Sequence, residues 1–170
     1  SLVLQPPPPF LRWPDGSAGE GQDARVSIFL GSLATSPLTA LPGTELLAVG
    51  TTSGQVAAYD GRTRSQAWSR DLGSPPEVIA ELDGDLIVAT QNGFVSRLRS
   101  GGAAGLAWKR HVLTTGNTSF HELFPTDKAI LAVTRRGDAI ILKAETGETA
   151  RVLSLGPGSR TALSPSERRL

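Results

Sequence analysis

The sequence predicts an all-β protein built from three similar four-stranded antiparallel units, and two observations lead to this prediction. The apolar runs are only four or five residues long and are interrupted by glycine, which favours strands over helices. The turn glycines Gly54, Gly93 and Gly137 recur at intervals of 39 and 44 residues. This is the period expected for blades of four short strands, so the sequence predicts a partial β-propeller.

Each repeat has the same order of elements. The second and third strands of the three blades are predicted at 46–50 and 55–59, at 86–89 and 94–98, and at 130–133 and 139–142. A first strand is predicted ahead of each pair, at 38–41, 78–82 and 120–124, and a last strand near Trp68, at 106–108 and at 152–153. Gly54, Gly93 and Gly137 are predicted to lie in the central hairpin turns, at least some of them at positive φ.

Composition divides the chain into three parts. Residues 1–25 are a leader rich in Pro and Gly, in which Pro6 to Pro9 favour an extended polyproline II segment. Residues 26–155 are the three-blade segment, and residues 156–170 are a Gly-, Ser- and Arg-rich tail or the start of a next blade. Closed propellers usually have four to eight blades, so we expect further blades outside this segment to complete the ring. Residues 161–163 would then begin a following blade and residues 26–30 would belong to an earlier one.

One motif indicates the type of propeller. Residues 58–68 place Ala58, Asp60, Thr63 and Trp68 in register with the eleven-residue signature Ala-x-Asp-x-x-Thr-Gly-Lys-x-x-Trp. The chain thereby resembles the quinoprotein-like (PQQ-repeat) β-propeller superfamily, in which we expect Asp and Thr to tie a turn and Trp to fill the gap against a neighbouring blade. The second repeat keeps the Trp after a turn one residue longer, and the third keeps Thr-Gly but has Lys143 and Arg151 in place of Asp and Trp. The predicted blade-docking residues are Asp60, Thr63, Trp68, Trp108, Thr146 and Gly147.

In detail, the chain resembles the N-terminal luminal propeller of the largest subunit of the endoplasmic-reticulum membrane protein complex at residues 57–68, 84–88, 92–93, 105–108 and 119–120. The resemblance implies a non-catalytic scaffold for protein–protein interaction in a membrane-protein biogenesis complex, located in the endoplasmic-reticulum lumen. A bacterial outer-membrane assembly propeller in the periplasm is similar at the same level of pattern. The expected partners are other blades of the same parent protein or other subunits of a complex.

The composition argues against catalysis and several kinds of ligand. There is no cysteine, and the two histidines, His111 and His121, have no metal-ligand spacing. No Gly-x-Ser-x-Gly elbow or phosphate-binding loop is present, so we predict no enzyme activity, no cofactor and no metal. A net charge of +1 gives no clustered basic face for nucleic acid. No apolar run has the roughly 20 residues of a membrane helix.

An alternative function and a possible modification stay open at this point. A fragment of a quinone-dependent dehydrogenase would share the repeat, but such an enzyme needs a complete ring, a metal held by acidic residues and often adjacent cysteines over the cofactor. Asn117-Thr118-Ser119 fits the N-glycosylation pattern, and Asn117 would be modified if the chain enters the secretory pathway.

Overall fold

A computed structural model describes residues 32–99, 105–112 and 119–154 of the 170-residue chain. The predictions for the leader, for residues 26–30, for Asn117, for residues 156–170 and for most of the second blade's last turn lie outside these ranges. The described residues form these strands: β1 (Thr39–Ala40), β2 (Leu46–Gly50), β3 (Gln55–Asp60), β4 (Gln66–Asp71), β5 (Pro76–Leu82), β6 (Asp85–Thr90), β7 (Phe94–Arg99), β8 (Gly105–His111), β9 (Phe120–Pro125), β10 (Ala129–Thr134), β11 (Asp138–Lys143) and β12 (Thr149–Ser154).

The strands pair in sequence order as three separate antiparallel sheets. The first blade is β1-β2-β3-β4, the second is β5-β6-β7-β8 and the third is β9-β10-β11-β12. This confirms the predicted all-β fold of three four-stranded blades. The first strands of neighbouring blades contact each other, β1 with β5 and β5 with β9, so they lie on the inner side of the arc.

The blades pack face to face because their middle strands are apolar on both sides. Between the first and second blades lies a buried cluster that includes Ala48, Val56, Ile79, Leu86, Val88 and Leu98. Between the second and third blades lies a larger one that includes Ile87, Val95, Trp108, Phe120, Ile130, Ile140 and Leu142. A third, smaller cluster of Leu47, Val49, Ala57 and Tyr59 lies on the other face of the first blade.

The inner strand of the first blade is short because a proline interrupts it. Pro37 has no N–H to donate to a strand partner. Beside it, the Ser36 Oγ accepts a hydrogen bond from Gly50 N at 2.8 Å. The chain before the interruption still follows β2, since Thr35 N donates to Gly50 O at 2.8 Å. Ser36 Oγ and Thr35 N therefore satisfy the N–H and the carbonyl of Gly50, and β1 retains only two residues.

The central hairpin turns share a buried threonine that was not predicted from the sequence. Thr90 and Thr134 end β6 and β10, and Thr51 directly follows β2. The three residues Thr51, Thr90 and Thr134 are 3%, 0% and 2% exposed. Each carbonyl accepts a hydrogen bond from the glycine three residues later, at 3.0, 3.0 and 3.1 Å. The pattern Thr-x-x-Gly recurs in the sequence, and this recurrence could have predicted the hydrogen bond between the threonine and the glycine.

The turn glycines themselves have φ values of 85°, 85° and 88° at Gly54, Gly93 and Gly137. The carbonyls of Gly54 and Gly93 also accept hydrogen bonds from Leu72 N and Val112 N, at 2.9 and 2.8 Å, where the chain leaves each blade. The turn thus fixes both the hairpin and the exit of the last strand.

Replacing Gly93 by valine should destabilise the chain much more than replacing it by asparagine. A β-branched residue at φ 85° pays a steric penalty on the order of 1–2 kcal/mol, whereas asparagine tolerates this region. Chemical denaturation of Gly93→Val and Gly93→Asn measures the difference. Equal destabilisation by the two variants would contradict the requirement for a left-handed backbone at this turn.

Candidate blade-docking site

The signature turn of the first blade is held by the side chain of Asp60. Its Oδ1 accepts hydrogen bonds from Arg62 N at 2.7 Å and from Thr63 N at 3.0 Å. These backbone donors are the main reason why the pKa of the Asp60 carboxyl lies below its ordinary value of 3.8. The backbone of Asp60 also bonds Ser65 O and Arg64 N, so this residue closes the connection between β3 and β4.

The signature threonine and the residue after it adopt a similar turn in the first and third blades, although the second of these residues differs. Thr63 Oγ1 lies 2.7 Å from Ser65 Oγ in the first blade, and Thr146 Oγ1 accepts from Glu148 N at 3.3 Å in the third. The following residue has φ 60° at Arg64 and φ 72° at Gly147. The left-handed turn is therefore kept in the first blade even though the usual glycine is replaced by arginine.

Strand register shows that three residues occupy the same docking position. Trp68 pairs with Ala58, Trp108 with Arg97, and Arg151 with Ile141, each next to a bulge between the last two strands. The separations within these pairs are 10, 11 and 10 residues, so the turn of the second blade is one residue longer.

Trp108 docks the second blade onto the last turn of the third. Its side chain is 7% exposed, and its Nε1 donates to Ala144 O at 3.1 Å. Gly147 lies beneath the indole, because a Cβ added there would come within 2.7 Å of Trp108 Cδ2. Burial of such a side chain is worth roughly 3–5 kcal/mol relative to alanine.

Trp68 is only half-buried and packs against the cluster between the first and second blades. Its Nε1 is buried and has no hydrogen-bond partner among the residues that the structure describes. Ser100 is the residue of the second blade that corresponds to Ala144, and it lies outside the residues that the structure describes.

Charged side chains that the sequence pattern did not predict strengthen the same junction. Arg97 Nε bonds Asp85 Oδ2 at 2.7 Å, with the two side chains 20% and 16% exposed. Arg97 Nη1 also donates to Ala144 O at 2.9 Å, so one carbonyl accepts from both Arg97 and Trp108. Strand alternation was a usable signal, since Arg97 follows Val95 by two residues and shares its buried face.

The outer strand β8 adds two further bonds to neighbouring blades. Arg110 Nε donates to Thr146 O at 3.0 Å, towards the third blade. Lys109 Nζ donates to Leu72 O at 2.8 Å, towards the first, and lies 4.8 Å from the centre of the Phe94 ring. Both side chains therefore serve as inter-blade donors to backbone carbonyls.

The two histidines lie apart, on different blades. His111 ends β8 and stacks on Phe94 with ring centroids 4.7 Å apart, whereas His121 is exposed on β9. In the described part of the chain, no three His, Asp or Glu side chains form a group that could hold a metal ion. Within the same ranges, no helix has the length and apolar character needed to cross a membrane.

The fold is similar to those of solved β-propellers at low sequence identity. BamB from Moraxella catarrhalis has a TM-score of 0.62 and 20% identity, covering 74% of this chain and 38% of BamB. The Cps50 (Swd1) β-propeller domain from Myceliophteria thermophila has a TM-score of 0.60 and 20% identity, covering 72% and 41% of the two chains. Quinohemoprotein alcohol dehydrogenase from Comamonas testosteroni has a TM-score of 0.57 and 16% identity, covering 71% and 21%.

No protein-family model matches the sequence, and no curated protein matches it. The chain spans about two fifths of the length of BamB and of the Cps50 domain. At these identities the likeness shows the fold alone, which is that of a β-propeller segment.

Gly147→Ala should destabilise the chain more than Gly84→Ala. Both glycines have positive φ, 72° and 83°, but a Cβ at Gly84 meets nothing within 4 Å, whereas at Gly147 it meets the Trp108 ring. The difference between the two variants in denaturant unfolding isolates the docking contact, and we expect roughly 1–3 kcal/mol from overpacking. A difference near zero would show that Trp108 does not rest on this turn.

Asp60→Asn should reduce the loss of stability in acid. A carboxyl whose pKa is lowered by folding stabilises the folded chain above its ordinary pKa of 3.8, and this contribution disappears as the pH falls through the lower folded value. Asparagine keeps an oxygen acceptor but does not titrate. Melting temperatures of both proteins between pH 6 and pH 2.5 should therefore converge towards low pH, and parallel curves would contradict this role.

Proposed function

We propose that this chain is a non-catalytic arc of a larger β-propeller that acts as a scaffold for protein–protein interaction. The observation that supports this most directly is that polar side chains of the second blade form hydrogen bonds to the neighbouring blade. The donors of Trp108, Arg97 and Arg110 all bond backbone carbonyls of the third blade. These groups hold blades together, which leaves the exposed turns and outer strands as the surfaces offered to partners.

The finer proposal is a subunit of a membrane-protein biogenesis complex in the endoplasmic-reticulum lumen. It rests on the resemblance of residues 57–68, 84–88 and 105–108 to the luminal propeller described above. The alternative is a bacterial outer-membrane assembly propeller in the periplasm, and the similarity of the fold to BamB is compatible with it. Glycosylation of Asn117 would occur only in the first of these compartments.

A second candidate function, a fragment of a quinone-dependent dehydrogenase, is favoured by the similarity of the fold to quinohemoprotein alcohol dehydrogenase. The two classes differ in what they bind. A scaffold retains protein subunits in fixed amounts, whereas a dehydrogenase retains pyrroloquinoline quinone with calcium and passes electrons to a dye.

Affinity purification of the tagged full-length protein should recover a defined set of subunits, and Trp108→Ala should lose them because the blade junction loosens. Added pyrroloquinoline quinone and calcium should leave no bound chromophore after gel filtration. A bound quinone with dye reduction would overturn the scaffold in favour of the enzyme.

In the same preparation, an endoglycosidase-sensitive mobility shift that disappears in Asn117→Gln supports the luminal site, and its absence favours the periplasm.

A further inference from the structure

The central turn of the second blade contains Asn92 followed by Gly93, the only Asn-Gly pair among the 170 residues. Asparagine is a thermolabile residue, because the backbone nitrogen of the following residue can attack its side-chain carbonyl carbon. A following glycine hinders this attack least, since it has no Cβ. The sequence therefore places a site of spontaneous deamidation in a turn that also fixes the exit of β8, where Gly93 O accepts from Val112 N.

Deamidation exchanges the side-chain amide for a carboxyl group in two steps. Gly93 N bonds to Asn92 Cγ and loses its proton, the bond from Cγ to the side-chain nitrogen breaks, and ammonia leaves a five-membered succinimide. Water then opens the ring: addition at Cγ gives aspartate, and addition at the main-chain carbonyl carbon gives isoaspartate. The first step requires an available Gly93 N–H and a side chain that can rotate to bring Cγ onto it.

The folded turn opposes both requirements through one residue, Thr90. Gly93 N already donates to Thr90 O at 3.0 Å. The hydroxyl of Thr90 donates to Asn92 Oδ1 at 2.7 Å, which restricts rotation of the asparagine side chain. Thr90 is 0% exposed, so water does not compete easily for either bond. The same threonine thus holds the attacking nitrogen and the group that it would attack.

The main chain of this turn is also anchored by the connection between the first and second blades. Asn92 N donates to Ser74 Oγ at 3.1 Å, and Gln91 N donates to Pro75 O at 2.9 Å. Asn92 itself is exposed to solvent. Exclusion of water therefore does not explain low reactivity at this position, and the hydrogen bonds of the turn must do so.

Two Asp-Gly pairs in the described ranges, at 60–61 and 83–84, show the same arrangement. Aspartate isomerises through the same succinimide ring, which again requires the N–H of the following glycine. These two glycine N–H groups donate to Glu45 O at 2.8 Å and to Glu81 Oε1 at 2.6 Å. Three turns of different construction thus keep the nitrogen that would start ring closure in a hydrogen bond.

We propose that Asn92 is a modification site that the fold keeps unreactive, and that its conversion to aspartate and isoaspartate begins when the central turn of the second blade opens. Isoaspartate lengthens the main chain before Gly93 by a methylene group. The bonds of Gly93 to Thr90 O and to Val112 N then lose their geometry, so the turn does not close again in its original form. Opening of this blade is recorded in the chain as a lasting chemical change.

The test follows deamidation of the full-length protein that carries these 170 residues, in mildly alkaline buffer with and without guanidinium chloride. Peptide mass spectrometry measures the mass increase at Asn92, and chromatography separates the aspartate and isoaspartate peptides. The folded protein should react at least about tenfold more slowly than the unfolded protein, because only the open fraction reacts. Equal rates in the two states would overturn the proposal.

Thr90→Val isolates the role of the threonine hydroxyl. Valine keeps the shape and the backbone carbonyl but does not donate to Asn92 Oδ1, so the folded variant should react roughly fivefold faster than wild type. Thr134→Val is the matched control, since it removes a buried hydroxyl from the equivalent turn of the third blade, which contains no asparagine. It should leave the rate at Asn92 within about twofold of wild type, and equal rates for the two variants would contradict the role of Thr90.

Ser74→Ala serves the same purpose if Thr90→Val fails to fold. It removes the acceptor for Asn92 N while leaving Thr90 in place, so deamidation should again be faster than in Thr134→Val. A rate equal to that of the control would overturn the proposal. Thr90→Ser keeps the hydroxyl and should react at the wild-type rate, and fast deamidation of a folded Thr90→Ser variant would also contradict it.

Discussion

A blade of this chain is apolar on both of its faces, and this constraint governs the rest of the architecture. In β6, four successive side chains from Leu86 to Ala89 are 0% exposed, although they point alternately to opposite sides of the sheet. Such a sheet cannot present a solvated face, as an ordinary antiparallel sheet can. It is stable only between two neighbours, so the unit that folds is a series of blades and not a single blade.

Packing of this kind leaves few places for polar groups. At the junction between the second and third blades, two side-chain donors share one carbonyl. The indole of Trp108 and the guanidinium of Arg97 both donate to Ala144 O, and Asp85 neutralises the guanidinium. The half-buried Arg97 is tolerated because its Nε and Nη1 both find acceptors. By contrast, Ser96 is 0% exposed and its Oγ has no partner within the described ranges, a polar cost that the first junction carries.

The sequence predicted the elements of the fold better than the contacts between blades. Strand positions and turns followed from short apolar runs and from glycines at fixed intervals, because these depend on neighbours close in the chain. The roles of Lys109 and Arg110 did not follow, since a charged residue on an outer strand has the same local pattern whether it faces solvent or a carbonyl 37 or 36 residues away. Thr90 was overlooked for a different reason: a threonine at a strand end has no apolar periodicity to mark it as buried.

The double hydrogen bond at Ala144 has a consequence for how this repeat can diverge. Its acceptor is a main-chain oxygen, which is present whatever side chain occupies position 144. The donors on the second blade can therefore keep their bonds while the buried residue they contact is exchanged for another small one. Gly147 beneath the indole is also restricted in size. Neighbouring repeats can thus lose their common sequence pattern while the contact between blades is preserved, so a signature that is well kept in one blade can fade in the next two without loss of blade packing.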